Sequence, residues 1–155
     1  MPPEPTFVTT HIHTDGPIPG PHSLLTVIAV GHTLDGDELD TFTTNVRELP
    51  GATLHPAALQ TWRRGAEDWL STRRASRPPA PAMIALARWI DALPGERVFV
   101  TDTAEPDYLF LYWYLHRFAG LWPFTRTSTE TGLYDRLTPT SLCPLTCCKV
   151  LSRTS

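Results

Sequence analysis

The stretch from Phe7 to Val46 constrains this chain more than any other part of it. "FVTTHIHT" (7–14), "SLLTVIAVGH" (23–32) and "DTFTTNV" (40–46) are rich in β-branched residues, and the first and third alternate in polarity. "DGPIPGPH" and "TLDGDEL" separate them, and glycine and proline in such clusters end regular structure. Strands joined by turns this short pair antiparallel, because a parallel return needs a crossover of about a dozen residues or more. The middle strand is almost uninterrupted in apolar residues, so it is expected inside a sheet with both faces covered. Asp35-Gly36 is a hairpin-type dipeptide between the second and third strands.

Helical spacing takes over next. "PGATLHPAALQTWRRGAEDWL" sets Leu59, Trp62, Ala66 and Trp69 on one helical face, with Pro56 suited to a first turn. "STRRASRPPAP" reads as a loop, and "AMIALARWIDALPG" as a helix stopped at Pro94-Gly95. "ERVFVTD" is a strand, and "DYLFLYWYLHRFAG" a helix ending on Gly120. This order predicts an α/β domain with a mixed sheet: a three-strand antiparallel meander plus a parallel strand, flanked by helices. Tyr108, Phe110, Tyr112, Trp113, Tyr114 and Phe118 of the last helix are expected chiefly in the core. Residues 1–6 are proline-rich and expected to be disordered, 7–124 form the domain, and 125–155 read as a divergent, irregular tail. A truncation, a shifted reading frame or genuine divergence would each produce such an end.

Composition narrows the partners. The 155 residues, 41% hydrophobic and 19% charged, suffice for one domain with a core. With 13 basic against 16 acidic residues the net charge is −3, without the overall basic excess of a dedicated nucleic-acid binder. Arg63, Arg64, Arg73, Arg74, Arg77 and Arg88 concentrate in one segment, read first as a solvated helix surface and second as a local basic face. The opening "MPPEPTF" has no leader pattern, and "YLFLYWYLHRFAGLWPF" is too short to span a bilayer. Cys143, Cys147 and Cys148 are odd in number, unlike a secreted disulfide framework, and no partners for a zinc site are identifiable. The expectation is a cytoplasmic protein with no membrane segment.

Chemistry concentrates in "THIHTDG". His11 and His13 are two residues apart on a strand, so both leave one face. Two imidazoles there can grip a transition metal, or simply hydrogen bond. Asp15 follows on the same parity. Asp107 opens the last helix, where a carboxylate suits the helix N-terminus and could also face the histidines as a ligand. Asp102 has a weaker claim, Glu130 is expected to be solvated, and His116 to be packed or on the surface. No phosphate-binding glycine loop or nucleophile elbow is present.

"FVTTHIHTDGPIPGPHSLLTVIAV", "NVRELPGATLHPAALQTW", "AMIALARWIDAL" and "VFVTDTAEPDYLFLYWYLHRFAG", in that order and spacing, resemble the bacterial DnaQ-like 3′–5′ exonucleases of the ribonuclease H-like fold. The resemblance covers about Phe7 to Phe124. It implies that fold and phosphodiester hydrolysis at nucleic-acid 3′ ends. It also implies two divalent ions, Mg²⁺ or Mn²⁺, held by four acidic residues with a histidine or tyrosine general base. It aligns His11 with the first-motif aspartate, His13 with the glutamate and Asp107 with the second-motif aspartate, and it sets Asp15, Ser23 and Tyr108 near the substrate. The third motif, a histidine and then an aspartate, has no counterpart. Imidazole is a poor ligand for Mg²⁺ but suits Zn²⁺ or Ni²⁺.

The resulting reading is an exonuclease-like domain whose activity is weak or lost, with single-stranded nucleic acid as the partner class. One alternative is a non-catalytic nucleic-acid or protein-binding module. Another is a hydrolase using one transition ion on His11, His13 and Asp107, with water completing the site. "THIHTDG" also resembles the first metal motif of amidohydrolase and PHP-type barrels. Those need about 250 residues and regular strand–helix alternation, which this chain lacks.

Overall fold

The structure, a computed structural model, describes residues 3–51, 73, 75–102, 106–130 and 133–137. Strands β1 (Thr6–Thr14), β2 (Leu24–His32) and β3 (Glu38–Asn45) form the expected antiparallel meander. β4 (Arg97–Val100) lies on the other side of β1 and parallel to it, and β5 (Arg126–Ser128) is parallel to β4. The order β3-β2-β1-β4-β5 makes a mixed sheet of five strands with β1 at its centre. β2 is buried along nearly its whole length, as its apolar run predicts. β3 is the edge, and its exposed Glu38 and Asp40 discourage pairing with another chain. Thr33 and Asp37 close the β2–β3 hairpin around Gly36, which sits at φ 95°.

Alternation along the strands divides the core in two. Val8, Ile12, Val27, Ala29 and Phe99 belong to the larger core. Helix α1 (Pro79–Asp91) covers it with Ala82, Met83, Leu86, Ala87 and Ile90, and α2 (Asp107–Tyr114) with Phe110, Leu111 and Tyr114. The prolines at the start of α1 cost nothing there, because first-turn N–H groups have no intrahelical acceptor. After α1 the chain turns at Gly95, whose φ of 69° and contact with the Glu4 carbonyl leave no space for a Cβ. α2 runs on into a π-helical segment, Leu115–Ala119, and Gly120 at φ 77° closes it as expected. The pitch change after Tyr114 is not visible in the sequence pattern, because the apolar spacing stays helical through it.

A smaller core on the other face joins Phe7, Val98 and Val100 to Leu133 and Leu137 of α3 (Leu133–Leu137). The stretch from residue 125, expected to be irregular, therefore carries β5 and α3. Three strand residues are too few to show a period; the free edge of β4 recruits them. The expected core aromatics also divide: Phe110 and Tyr114 are buried, Trp113 and Phe118 pack at the margin, and Tyr108 and Tyr112 are exposed. An i, i+4 stripe on the outer side of α2 looks the same in sequence as one facing the core.

Arg73 is a brace rather than a surface charge. Its guanidinium donates to the carbonyls of Val46 and Leu25 at 2.7 and 2.8 Å and pairs with Glu48 at 3.1 Å. Arg77 and Arg88 are exposed, whereas Arg63, Arg64 and Arg74 lie outside the described residues. So do the helix expected around Leu59–Trp69 and the three cysteines. No helix among the described residues is long and apolar enough to cross a membrane.

Candidate functional site

β4 accompanies only the first part of β1, with Thr6–Thr9 paired to Arg97–Val100. β1 then continues to Thr14 beyond its pairing with β4, and this end of the two parallel strands is the candidate crevice. Open α/β sheets place ligands in such crevices. Asp107 enters this one from the start of α2: it is 3% exposed, and Thr10 Oγ1 donates to its Oδ2 at 2.8 Å. The side chain of Thr10 shares parity with Val8 and Ile12, on the helix-covered face.

His11 and His13 leave the opposite face, edge to face, with ring centroids 5.7 Å apart. The expected pairing of the two imidazoles is therefore present. His13 is only 6% exposed and His11 half-buried. Among the described residues, no three His, Cys, Asp or Glu side chains gather closely enough to hold a metal ion. His11 and His13 on one face and Asp107 on the other thus stand at the same end of β1 without forming a three-ligand cluster. Two imidazoles, with the carboxylate on a threonine hydroxyl, do not fit a pair of hard Mg²⁺ ions, which demand oxygen ligands.

Asp15 and Ser23, set near the substrate by the resemblance, are both buried and engaged inside the chain. Asp15 Oδ1 accepts the Ser23 N–H, and Ser23 Oγ accepts the Leu49 N–H at 2.9 Å. Burial pushes the Asp15 carboxyl above its ordinary range, opposed by the Ser23 N–H and the nearby His22. The His22 ring packs where a side chain on Gly16 would have to lie. These groups fix the turn between β1 and β2. Tyr108 alone of the three expected substrate contacts is exposed, at 41%. Asp102 follows β4 half-buried, and Glu130 and His116 are exposed.

Two further residues, Tyr114 and His32, were not expected at the site from the sequence. At a bulge between His13 and Thr14 the β1–β2 register shifts, and the Leu24 N–H donates to the Tyr114 hydroxyl at 2.8 Å. Burial pushes the Tyr114 phenol up to about 12. His32 is buried with Nε2 2.9 Å from Thr9 Oγ1, on the face that carries His11 and His13. Burial lowers its pKa, partly offset by the Gly36 backbone and the Glu38 charge. One signal was available for each: a tyrosine in a core stripe needs a hydroxyl partner, and a histidine closing an apolar strand is drawn inside with it.

No family model matches this chain, and no curated protein matches it in sequence. Its fold does match solved structures of exonuclease I. The product-bound form aligns with a TM-score of 0.61 and 11% identity over 79% of this chain and 29% of that one. E. coli exonuclease I in complex with a dA13 oligonucleotide gives 0.59 and 12% over 80% and 27%. The zinc-bound E. coli complex with single-stranded DNA gives 0.61 and 13% over 80% and 27%. The chain therefore spans less than a third of the exonuclease I chains it matches. The mixed five-strand sheet flanked by helices is the ribonuclease H-like fold of those neighbours.

Proposed function

We propose that this chain is a 3′–5′ exonuclease-like domain that binds single-stranded nucleic acid but does not carry out efficient hydrolysis with two Mg²⁺ ions. The observation that carries the reading is the donor set at the end of β1. Imidazoles occupy the two first-strand positions where the family resemblance places carboxylates, and the remaining carboxylate, Asp107, is buried on the hydroxyl of Thr10. Fold analogy supplies the ligand class, and the residues supply the loss. Exonuclease I neighbours are described with single-stranded oligonucleotides, which supports that class here by analogy. The three cysteines, odd in number and unlike a secreted disulfide framework, support a cytoplasmic setting.

This residue set bears on each chemical role. Asp107, accepting from Thr10, is oriented and desolvated; a buried carboxylate committed in this way is poorly placed to bind a water that must be activated. His11 is half-buried and packs edge to face on His13 with its Nε2 shielded from solvent, so it would meet a nucleic acid through the exposed edge of its ring. The test is fluorescence anisotropy with a labelled single-stranded 15-mer and the matching blunt duplex, in EDTA. Tighter binding of the single strand, weakened in His11→Ala, is expected. Equal affinity for both, or no binding by the folded protein, would overturn the reading. A second reading, hydrolysis with one transition ion, draws on the His11–His13 pairing; stoichiometric zinc or nickel in the purified protein would favour it.

A further inference from the structure

Outside the crevice, α2 and its π-helical extension carry a row of exposed rings. Tyr108, Tyr112 and His116 recur every four residues and lie along one stripe of the helix. The two tyrosines are stacked, with centroids 5.3 Å apart and planes at 27°, and the His116 ring stands 4.3 Å from Tyr112. All three are exposed, Tyr108 by 41% and Tyr112 by 43%.

These rings are held in place. Trp122, in the loop after Gly120, meets Tyr108 at 5.6 Å and Tyr112 at 5.4 Å. Trp122 is anchored in turn on Phe99 at 5.3 Å and Phe124 at 4.8 Å. The core does not need the ladder, because Phe110, Leu111 and Tyr114 already fill it from the other side of α2.

The exposed side chains of the segment that carries the ladder include no acid: among residues 106–120 they are Tyr108, Leu109, Tyr112, His116 and Arg117. The single acid of this segment, Asp107, is buried against Thr10. Aromatic faces ending in a cation suit a polyanion that carries planar bases. The ring centroids stand 5.3 and 4.3 Å apart, wider than the ~3.4 Å step of a stacked duplex strand, so the rings match unstacked bases.

We propose that Tyr108, Tyr112 and His116 form a stacking track for single-stranded nucleic acid, running from the crevice at Asp107 along α2 to Arg117. The inference rests on the nucleic-acid reading above for its ligand class and extends it from Tyr108, already expected near the substrate, to Tyr112 and His116.

The test is fluorescence anisotropy with 5′-fluorescein-labelled dT15 in EDTA, using Tyr112→Ala, Tyr108→Ala with Tyr112→Ala, and Tyr112→Phe. Stacking on an aromatic side chain predicts about five- to a hundredfold weaker binding for Tyr112→Ala, with Tyr112→Phe close to the wild type. Thermal melts establish that each variant is folded, which the exposure of both tyrosines favours. Wild-type affinity in folded Tyr112→Ala, alongside weakened binding in His11→Ala, would remove the track and leave the crevice reading standing. The reverse pattern supports the track and removes the crevice. A folded wild type that does not bind dT15 overturns both. A wild-type dimer in sedimentation that Tyr112→Ala dissolves would make this face a protein interface and refute the track.

Discussion

Replacing Tyr114 by phenylalanine isolates one atom of the scaffold behind the crevice. The bulge between His13 and Thr14 takes the Leu24 N–H out of the β1–β2 ladder, and the Tyr114 hydroxyl accepts it at 2.8 Å. Leu24 and Tyr114 are fully buried, so the phenylalanine variant leaves that N–H without water or acceptor. An orphaned buried polar group costs about 1–3 kcal/mol. For a chain of this size each kcal/mol lowers the melting temperature by about 2–4 °C, so a fall of roughly 2–12 °C is expected. Urea denaturation should show a lower midpoint with an unchanged slope, since no surface is added to the unfolding transition.

A pH arm sharpens the test. Burial raises the phenol to about 12, so its favourable contribution is complete below the ordinary value near 10 and is lost as pH rises through 12. The stability gap between wild type and Tyr114→Phe should therefore narrow above pH 10. A variant within about 0.3 kcal/mol of the wild type at pH 7, or a gap that widens above pH 10, would refute the reasoning.

Asp15→Asn keeps an oxygen for the Ser23 N–H and removes a buried charge. Because burial raises the Asp15 pKa, the charged form burdens the fold at pH 7; the variant should be at least as stable there, with the difference vanishing as pH falls toward 4. A clear loss of stability at pH 7 in urea melts would show that the charge itself is needed. His32 has its pKa lowered by burial, so its contribution is present above about 6.5 and is lost as pH falls through its folded value. Denaturation midpoints from pH 8 to 5 should decline along that limb, and ring signals in NMR that titrate at or above 6.5 would contradict it. His11→Asp with His13→Glu restores oxygen donors on one face of β1 and should strengthen Mn²⁺ binding by calorimetry; no gain would show that these positions are not the first-motif pair.

The meander was legible because strand period, turn residues and short connections agree with one another from Phe7 to Asn45. β4 and α2 were legible for the same reason, down to Gly120 as the stop. β5 was not, because a three-residue strand takes its conformation from the β4 edge and not from its own pattern. At the site, parity alone correctly put His11 and His13 on one face. Parity says nothing of depth, so the burial of Asp15, Ser23 and Asp107, and their internal hydrogen bonds, emerged only from the fold. The outward turn of Tyr108 and Tyr112 was hidden similarly, since a helical stripe of aromatics reads alike on either side of a helix.

The most direct measurement is a time course of 5′-labelled single-stranded DNA with the purified, folded protein in Mg²⁺, Mn²⁺, Zn²⁺, Ni²⁺ and EDTA, resolved on denaturing and native gels in parallel. The account predicts DNA that is retained on the native gel yet keeps its full length in Mg²⁺. A ladder shortening from the 3′ end in Mg²⁺, absent in EDTA and in His13→Ala, would contradict it.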